Sequence, residues 1–254
     1  MTGAIRKIAL AAVAAPLTLA LAACGSSEDA SGSNGGLSGE PIAAVAAPEG
    51  QSWSQMIEKT EAGGYRMGNP DAPIKIIEFA SLTCPHCATF SENSSADLKG
   101  KFVESGRVSF EFRNFILNPL DLAMAMMVRC GPPESFFALT EQTFAAQPQI
   151  IQAWSGAGEQ AAMQAAEQPP ETRYAAIAQV AGLPEFYAAR GIAADQARTC
   201  LADPSAAEAL VNQTTAASED FDVTGTPTFV INGQKADGNT WDQIRTRLEN
   251  MGAR

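Results

Sequence analysis

The sequence predicts an α/β fold in which an all-helical segment interrupts a sheet, and three observations support this. The short apolar run IKIIEFA (74–80) is rich in β-branched residues and is typical of a buried strand. The alternating segment GRVSFEFRNF (106–115) predicts a second strand after an intervening helix, so we expect a parallel β–α–β unit. Between residues 118 and 218 apolar side chains recur at helical spacing, and strand character returns only in TPTFVINGQ (226–234).

The remaining elements follow from local signals. Pro and Gly divide residues 118–218 into roughly four to six expected helices. The Asn-Gly pair in TPTFVINGQ predicts a β-hairpin. The chain closes with TWDQIRTRLENM (240–251), where Thr240 and Gln243 fit a capping box at the start of an amphipathic helix. Before the first strand, QSWSQMIEKT (51–60) is interpreted as a short amphipathic helix.

The first residues have the layout of a secretory signal. Arg6 and Lys7 precede an apolar run that is too short for a permanent membrane helix. The run ends in LAAC (21–24), which resembles a bacterial lipobox, a motif whose cysteine becomes lipidated after cleavage. We therefore expect a signal peptide over residues 1–23, lipidation of Cys24, and a flexible Gly/Ser/Ala-rich tether over residues 24–50. The alternative is an ordinary signal peptide that happens to end beside a cysteine.

Charge and composition exclude one class of partner. The 254 residues carry a formal charge of −11, which becomes −13 when the signal peptide leaves with its two basic residues. A nucleic-acid partner is not expected, because phosphate binding needs a concentrated basic surface. With 46% hydrophobic residues, the remainder of the chain can build a substantial core.

The chain has five cysteines, an odd number for an exported protein: Cys24, Cys84, Cys87, Cys130 and Cys200. If Cys24 carries lipid, four remain, enough for two disulfides in an oxidising compartment. Of the three possible pairings, Cys84–Cys87 with Cys130–Cys200 keeps the short CPHC motif together. We interpret Cys130–Cys200 as a structural disulfide, and a redox-active shuttle pair is the alternative.

The CPHC motif (84–87) follows a predicted strand and opens a predicted helix. Pro85 suits the first helical position, because its missing N–H would be unpaired there in any case. Unpaired backbone N–H groups and the positive end of the helix dipole then converge on the Cys84 sulfur and should lower its pKa. Cys87 should be more buried, less ionised and placed to attack a mixed disulfide on Cys84. A stabilised thiolate makes the disulfide a stronger oxidant.

His86 lies between the two cysteines and is the only histidine in the chain. It could stabilise the thiolate by a hydrogen bond or positive charge, or be merely solvated. A metal carrier that uses both cysteines and His86 is an alternative function. It is disfavoured because structural zinc normally needs four ligands. We expect no bound metal and no cofactor.

Two separated segments resemble one known family. GNPDAPIKIIEFASLTCPHCATF (68–90), followed much later by VTGTPTFVINGQ (223–234), is similar to the DsbA-like thiol–disulfide oxidoreductases of the thioredoxin superfamily. The resemblance implies a thioredoxin fold in two parts, residues 60–117 and 219–254, with the helical insertion at 118–218 between them.

The resemblance also implies roles for residues outside the CPHC motif. Pro227 matches a cis-proline loop that lies beside the two cysteines, and Thr226 would offer backbone hydrogen bonds to an extended substrate chain. Glu78 matches a buried acid that moves protons for the inner cysteine.

Two features leave that proton-transfer role open. Glu78 could instead be a strand carboxylate paired with Lys75 or Arg113. Relatives often carry an acid at position 81, where this chain has Ser81, so a relay through two carboxylates is in doubt.

The function implied is a monomeric, lipid-anchored oxidoreductase of the cell envelope that passes its disulfide to reduced exported proteins. A DsbB-like membrane partner would reoxidise it. The alternative within the same class is a disulfide isomerase or reductase kept reduced by a DsbD-like donor. Such isomerases generally add a dimerisation module, for which the predicted tether is too short. A purely structural lipoprotein with two inert disulfides is the remaining alternative.

Overall fold

A computed structural model describes residues 39–254. The predicted signal peptide, Cys24 and the first part of the predicted tether therefore lie outside the described residues. Six strands form one sheet: β1 (Ile57–Lys59), β2 (Tyr65–Gly68), β3 (Ile74–Ala80), β4 (Val108–Asn114), β5 (Thr228–Ile231) and β6 (Gln234–Lys235). Their order is β1-β2-β4-β3-β5-β6. Only β3 and β4 pair in parallel, and the other neighbours are antiparallel.

Ten α-helices accompany this sheet within residues 39–254. They are α1 (Pro85–Asp97), α2 (Pro119–Val128), α3 (Phe136–Ala145), α4 (Gln147–Gly156), α5 (Glu159–Ala166), α6 (Pro170–Val180), α7 (Leu183–Ala188), α8 (Ala194–Leu201), α9 (Pro204–Phe221) and α10 (Trp241–Asn250). A π-helical turn, Leu98–Val103, extends α1. None of these helices is both long and apolar enough to cross a lipid bilayer.

The predicted elements around the sheet are confirmed. Strand β3, helix α1 and strand β4 form the expected parallel unit. Asn232 and Gly233 both have positive φ angles, 49° and 79°, in the tight turn between β5 and β6, which explains the Asn-Gly pair. Helix α10 begins with the predicted capping box of Thr240 and Gln243.

The helical insertion lies between β4 and β5 and contains more helices than predicted. Eight α-helices, α2 to α9, occupy residues 119–221, against the four to six expected. The number is larger because single helix-breaking residues divide stretches of similar composition into separate short helices. Gly158 and Gly182, with φ angles of 87° and 68°, immediately precede α5 and α7.

Two predictions before the first long strand are wrong. Residues 39–50 were expected to belong to a flexible tether, but they are hydrogen-bonded along the folded body. The Ile42 amide donates to the Gly252 carbonyl and the Val45 amide to the Ser105 carbonyl, each at 2.9 Å. These bonds use only the backbone, so a Gly- and Ala-rich composition does not reveal them.

The segment 51–60 is not an amphipathic helix. It contains one 3₁₀ turn, Trp53–Gln55, followed by strand β1. Ile57 pairs with Met67 of β2, so pairing at the sheet edge overrides the helical spacing of the sequence.

The sheet is covered on both faces. On one face, Phe90 of α1 packs against Phe229 of β5 at a centroid distance of 4.5 Å, and Trp241 of α10 packs on Phe90. On the other face, Phe221 of α9 packs against Phe79 of β3. Side chains of a strand alternate between faces, so Glu78 lies on the face covered by α1. The fold is therefore the predicted α/β architecture with a helical insertion.

Candidate active site

The CPHC motif joins the end of β3 to the start of α1. Cys84 is the N-cap residue, with extended φ and ψ of −83° and 120°, and Pro85 is the first helical residue. Both thiols are free, and Cys84 retains 7% exposure whereas Cys87 retains none. This agrees with the expectation that Cys87 is the more buried sulfur.

The surroundings of Cys84 favour its thiolate. The Cys87 thiol, which can donate a hydrogen bond to the Cys84 sulfur, is the main cause that lowers the pKa of Cys84 to about 5. Desolvation opposes this shift, whereas the Thr226 side chain and the backbone N–H groups of Cys87 and His86 add to it. In its thiol form, Cys84 Sγ donates to the Thr226 carbonyl at 3.3 Å.

The pKa of Cys87 shifts in the opposite direction. Burial is the largest cause that raises the pKa of Cys87. The hydrogen bond to Cys84 and the nearby carboxyl of Glu78 raise this pKa further. One sulfur is therefore ionised near neutral pH while its neighbour keeps its proton. Such a pair can be attacked at one atom and resolved from the other.

His86 contributes differently from the expected imidazole effect. Its side chain and that of Pro85 are exposed, and its backbone N–H is the group that helps to stabilise the Cys84 thiolate. Within residues 39–254, no three or more His, Cys, Asp or Glu side chains are grouped in a way that would hold a metal ion.

Glu78 is a buried, unpaired acid beneath the cysteines. Its side chain is on the central strand β3, the residue is 3% exposed, and its Oε1 has no hydrogen-bond partner among the described residues. Burial, with a smaller effect from the Cys84 charge, raises the pKa of Glu78 to about 8. The alternative ion pair is not formed, because Arg113 pairs with Glu111 at 2.7 Å and Lys75 is exposed.

Asp121 is a second buried acid that the sequence analysis missed. It lies in the first turn of α2 and is 0% exposed. Its two carboxylate oxygens accept from the backbone amides of Leu82 and Leu117, at 2.8 and 2.9 Å. Burial raises the pKa of Asp121 to about 6, although the hydrogen bond from the Ser81 side chain acts to lower it. A lone acid in the apolar run LDLAMAMMV was the available signal.

Gln147 is a further side chain that sequence reasoning missed. It is buried at the start of α4, and its Nε2 donates to the carbonyls of Leu82 and Cys84 at 2.8 and 3.0 Å. Together with Asp121, it ties the segment before α1 to the helical insertion. The insertion therefore fixes the backbone from which Cys84 projects.

The loop before β5 lies against Cys84. The Thr226–Pro227 peptide bond is cis, and the Thr226 carbonyl contacts the Cys84 sulfur. An open groove of about 510 Å³, which we call the active-site groove, begins at this contact. Its lining includes Cys84, Leu117, Leu120, Ile151, Trp154 and Thr226.

Cys130 and Cys200 form a disulfide within the helical insertion. Their Cα atoms are 5.8 Å apart and the cysteines are separated by 70 positions in the sequence. Cys130 follows the end of α2, and Cys200 is in the last turn of α8.

Comparisons with known proteins agree with this geometry. The thioredoxin family model matches residues 60–250. A protein-disulfide isomerase from Novosphingobium aromaticivorans has 34% identity and a TM-score of 0.68, covering 72% of this chain and 94% of its own. Wolbachia pipientis alpha-DsbA1, at 22% identity and a TM-score of 0.60, covers 80% of this chain and 96% of its own, and supports the fold.

A Rickettsia bellii protein, provisionally named a protein-disulfide oxidoreductase, is 23% identical over 191 residues. The match covers 75% of this chain and 65% of the Rickettsia protein, so the chain spans slightly less than two thirds of that relative. The family match, the fold and the position of the CPHC motif at the start of α1 lead to one conclusion. The chain belongs to the thioredoxin family, with a thioredoxin fold interrupted by a helical insertion.

Proposed function

We propose that the protein oxidises pairs of thiols in exported proteins by passing on a Cys84–Cys87 disulfide. The observation that carries this proposal is the environment of Cys84, where the Cys87 thiol and backbone N–H groups lower the pKa of the sulfur to about 5. Stabilising the thiolate stabilises the reduced protein. The disulfide of such a protein is correspondingly a stronger oxidant.

The reaction proceeds in two exchanges. A substrate thiolate attacks Cys84 Sγ, forms a mixed disulfide and breaks the Cys84–Cys87 bond, so that Cys87 leaves with the electron pair. A second substrate thiolate then attacks the substrate sulfur of the mixed disulfide, and Cys84 leaves as a stabilised thiolate. The substrate has lost two electrons and the enzyme has gained them.

Glu78 supplies a proton to the leaving Cys87 sulfur in this proposal. The raised pKa of Glu78, about 8, means that the carboxyl is mostly protonated at neutral pH and can act as an acid. The Glu78 carboxylate left after this donation can take the same proton back from Cys87 when the disulfide is formed again. This role is favoured over a structural ion pair because no basic side chain pairs with Glu78 among residues 39–254.

Substrate chains bind, in this proposal, along the loop of Thr226 and Pro227. An extended segment can pair with the Thr226 backbone as an added strand. The active-site groove then accepts an apolar side chain next to the substrate cysteine. Leu117, which is 50% exposed, is available at the surface for this contact.

The cellular setting is part of the proposal and rests on the sequence. A lipidated Cys24 would attach a monomer to a membrane of the cell envelope, facing the compartment of exported proteins. A DsbB-like membrane protein would reoxidise Cys84 and Cys87. The exchange needs no cofactor, since both electrons move between sulfur atoms.

Disulfide isomerisation is the second candidate, because the Novosphingobium protein at 34% identity is named an isomerase. An isomerase must be kept reduced, here by a DsbD-like donor, so that Cys84 can attack a substrate disulfide. The low pKa of Cys84 serves both reactions, whereas the redox state of the motif in cells separates them.

The test combines trapping with a redox measurement. Cys87→Ala should accumulate mixed disulfides on Cys84, and a Cys84→Ala/Cys87→Ala control should accumulate none. Alkylation of the unsubstituted protein in cells should find the motif mainly oxidised. A mainly reduced motif would favour the isomerase or reductase, and the absence of any Cys84 adduct would refute both.

A further inference from the structure

A second groove lies next to the active-site groove, beside the loop between β4 and α2. It has a volume of about 310 Å³ and is lined by that loop and by residues of α2, α5, α6 and α9. Leu117, Asn118 and Pro119 line both grooves, so they form a ridge between them. A chain that leaves the active-site groove over this ridge therefore enters the second groove.

The ridge is fixed to the wall of the active site. The Leu117 amide donates to the Asp121 carboxylate at 2.9 Å. The Nδ2 of Asn118 donates to Thr83 Oγ1 at 2.9 Å, and Thr83 directly precedes Cys84. The second groove is thus already formed next to the reactive sulfur. A preformed site loses little free energy to ordering when a ligand binds.

Apolar side chains are exposed in the second groove. Leu117 and Val211 are 50% and 46% exposed, and they are two of the four large hydrophobic side chains that are exposed within residues 39–254. Leu122 and Tyr174 add apolar surface from α2 and α6. Exposed apolar side chains that share one concave surface are typical of a binding site.

Arg173 is the only charged side chain in the lining of the second groove. Its Nε donates to the Gln168 carbonyl at 3.0 Å, and its two terminal amino groups donate to no atom of residues 39–254. No acidic side chain in that range forms an ion pair with it. The guanidinium is therefore available to a carboxylate from outside the chain, which it can bind through two parallel hydrogen bonds.

We propose that the second groove is a specificity subsite for polypeptide substrates with an apolar side chain and an adjacent acidic residue near the cysteine that attacks Cys84. The proposal rests on the proposed exchange at Cys84 and names the substrates that this exchange favours. The apolar side chain packs against Leu117 and Val211, and the carboxylate binds Arg173. The chain as a whole carries a formal charge of −11, so an acidic segment gains attraction only beside such an unpaired cation.

The occupant of the second groove is the substrate chain itself, because the ridge residues belong to both grooves. A segment paired with the Thr226 backbone is extended, and its side chains alternate between two sides. Only every second residue therefore faces the second groove. The preference for an acid should accordingly be confined to one position, or to two positions that are two residues apart.

The test uses oxidised protein and a set of peptides, each with two cysteines. Each peptide carries one Glu at a different position within about six residues of the first cysteine, on either side, because six extended residues span about 20 Å. A matched peptide carries Gln at the same position. The measurement is the second-order rate constant for reduction of the Cys84–Cys87 disulfide. It is divided by the rate constant for dithiothreitol, which is too small to reach the second groove, so any effect of a substitution on the cysteines cancels.

At the preferred position, the Glu peptide should react about threefold faster than the Gln peptide, and salt at about 0.5 M should reduce this ratio. Arg173→Gln should bring the ratio to one, and Arg173→Glu should invert it and favour Lys at the same position. Val211→Asp, which places a carboxylate in the same groove, should also remove the preference. The matched controls are Arg198→Gln and Arg198→Glu. They make the same charge changes at an exposed arginine of α8 that lines neither groove, so the ratio should persist.

The outcomes separate this proposal from the proposed function. If every peptide is oxidised at the same rate, or if Arg173→Gln keeps the preference for Glu, the subsite is wrong and the exchange at Cys84 stands. An equal loss of preference in Arg198→Gln would assign the effect to the total charge of the protein and would also overturn the subsite. If no folded variant oxidises any peptide, the subsite and the proposed function both fail.

Discussion

The two cysteine pairs of this protein lie at opposite ends of helices. Cys84 is the N-cap of α1, where unpaired N–H groups and the positive end of the helix dipole face its sulfur. Cys130 follows the last turn of α2, and Cys200 is in the last turn of α8, where carbonyl groups and the negative end of the dipole lie.

We propose that this difference separates a reactive pair from a structural one. A thiolate is stabilised at a helix start, which favours Cys84 as the nucleophile and leaving group in this proposal. In the structure Cys84 and Cys87 are free thiols, and Cys130 and Cys200 are joined by a disulfide. The spacing of the CPHC motif, which places the Cys87 thiol beside Cys84, and the backbone N–H groups at the start of α1 together distinguish the two pairs.

The largest expected difference between the two cysteine pairs is in thiol–disulfide exchange activity. Cys84→Ser should reduce the oxidation of a dithiol peptide by more than about a thousandfold, because it removes the nucleophile. The double variant Cys130→Ser/Cys200→Ser should retain the exchange rate of each folded molecule. A comparable loss in the double variant would mean that the second pair takes part in the electron path.

The next effect is the pH dependence of stability in the reduced protein. The pKa of Cys84 is about 5 in the folded protein and near 9 in the unfolded chain. The stability that the ionised thiol contributes to the reduced protein is therefore complete above pH 9 and is lost as pH falls towards 5. The free energy of unfolding of the reduced form should therefore rise relative to that of the oxidised form by on the order of 5 kcal/mol from pH 5 to pH 9. Denaturant unfolding of both forms measures this difference.

The control for this prediction is Cys84→Ser. Its free energy of unfolding, relative to that of the oxidised unsubstituted protein, should not rise between pH 5 and pH 9. Absorbance of the thiolate at 240 nm gives the ionisation of Cys84 directly. A midpoint near that of free cysteine would contradict the comparison, because the helix start would then confer no special reactivity.

The third effect concerns the structural pair. A disulfide closing a loop of 70 positions stabilises a chain by about 4 kcal/mol in the chain-entropy estimate. Cys130→Ser/Cys200→Ser should lower the free energy of unfolding by an amount of this order, as measured in urea. Reduction of Cys84 and Cys87 alone should not produce such a loss at pH 7. If it does, the assignment of the stabilising role to one pair is wrong.

Local signals in the sequence predicted the central strands, the β5–β6 hairpin and the CPHC motif. Pro85 after a buried strand, the Asn-Gly turn and the Thr240–Gln243 capping box each act over a few residues, so the sequence alone specifies them. The parallel pairing of β3 and β4 was also predicted, from the helix that connects them. Elements that depend on a few neighbouring residues can therefore be predicted from the sequence alone.

Contacts between residues far apart in the chain could not be predicted from the sequence. The backbone bonds of residues 39–50 to the rest of the chain and the pairing of β1 with β2 depend on segments far apart in the sequence. Asp121 was missed for the same reason, since its two acceptor bonds join separate loops. The structure thus supplies a second buried acid, which the presence of Ser81 had put in doubt.

The smallest predicted effect tests whether this second acid tunes the reactive pair. The pKa of Asp121, about 6, lies above its ordinary value of 3.8, so the folded protein holds a proton that the unfolded chain releases as pH rises from about 4 to 6. The free energy of unfolding of the unsubstituted protein, relative to that of Asp121→Asn, should therefore fall by on the order of 3 kcal/mol as pH rises from about 4 to 6. The variant should leave the pKa of Cys84 almost unchanged, because Asp121 is mostly protonated near pH 5, where Cys84 ionises.

The matched control is Asp195→Asn, an exposed acid in the first turn of α8 that should change stability by no more than about 0.5 kcal/mol at any pH. Urea unfolding between pH 4 and 8, with absorbance titration of Cys84, measures both quantities. Equal pH profiles for the two variants would mean that Asp121 serves only to hold the loops of Leu82 and Leu117 in place. The reactivity of the pair would then depend on the start of α1 and on Glu78, and the insertion would contribute geometry without charge.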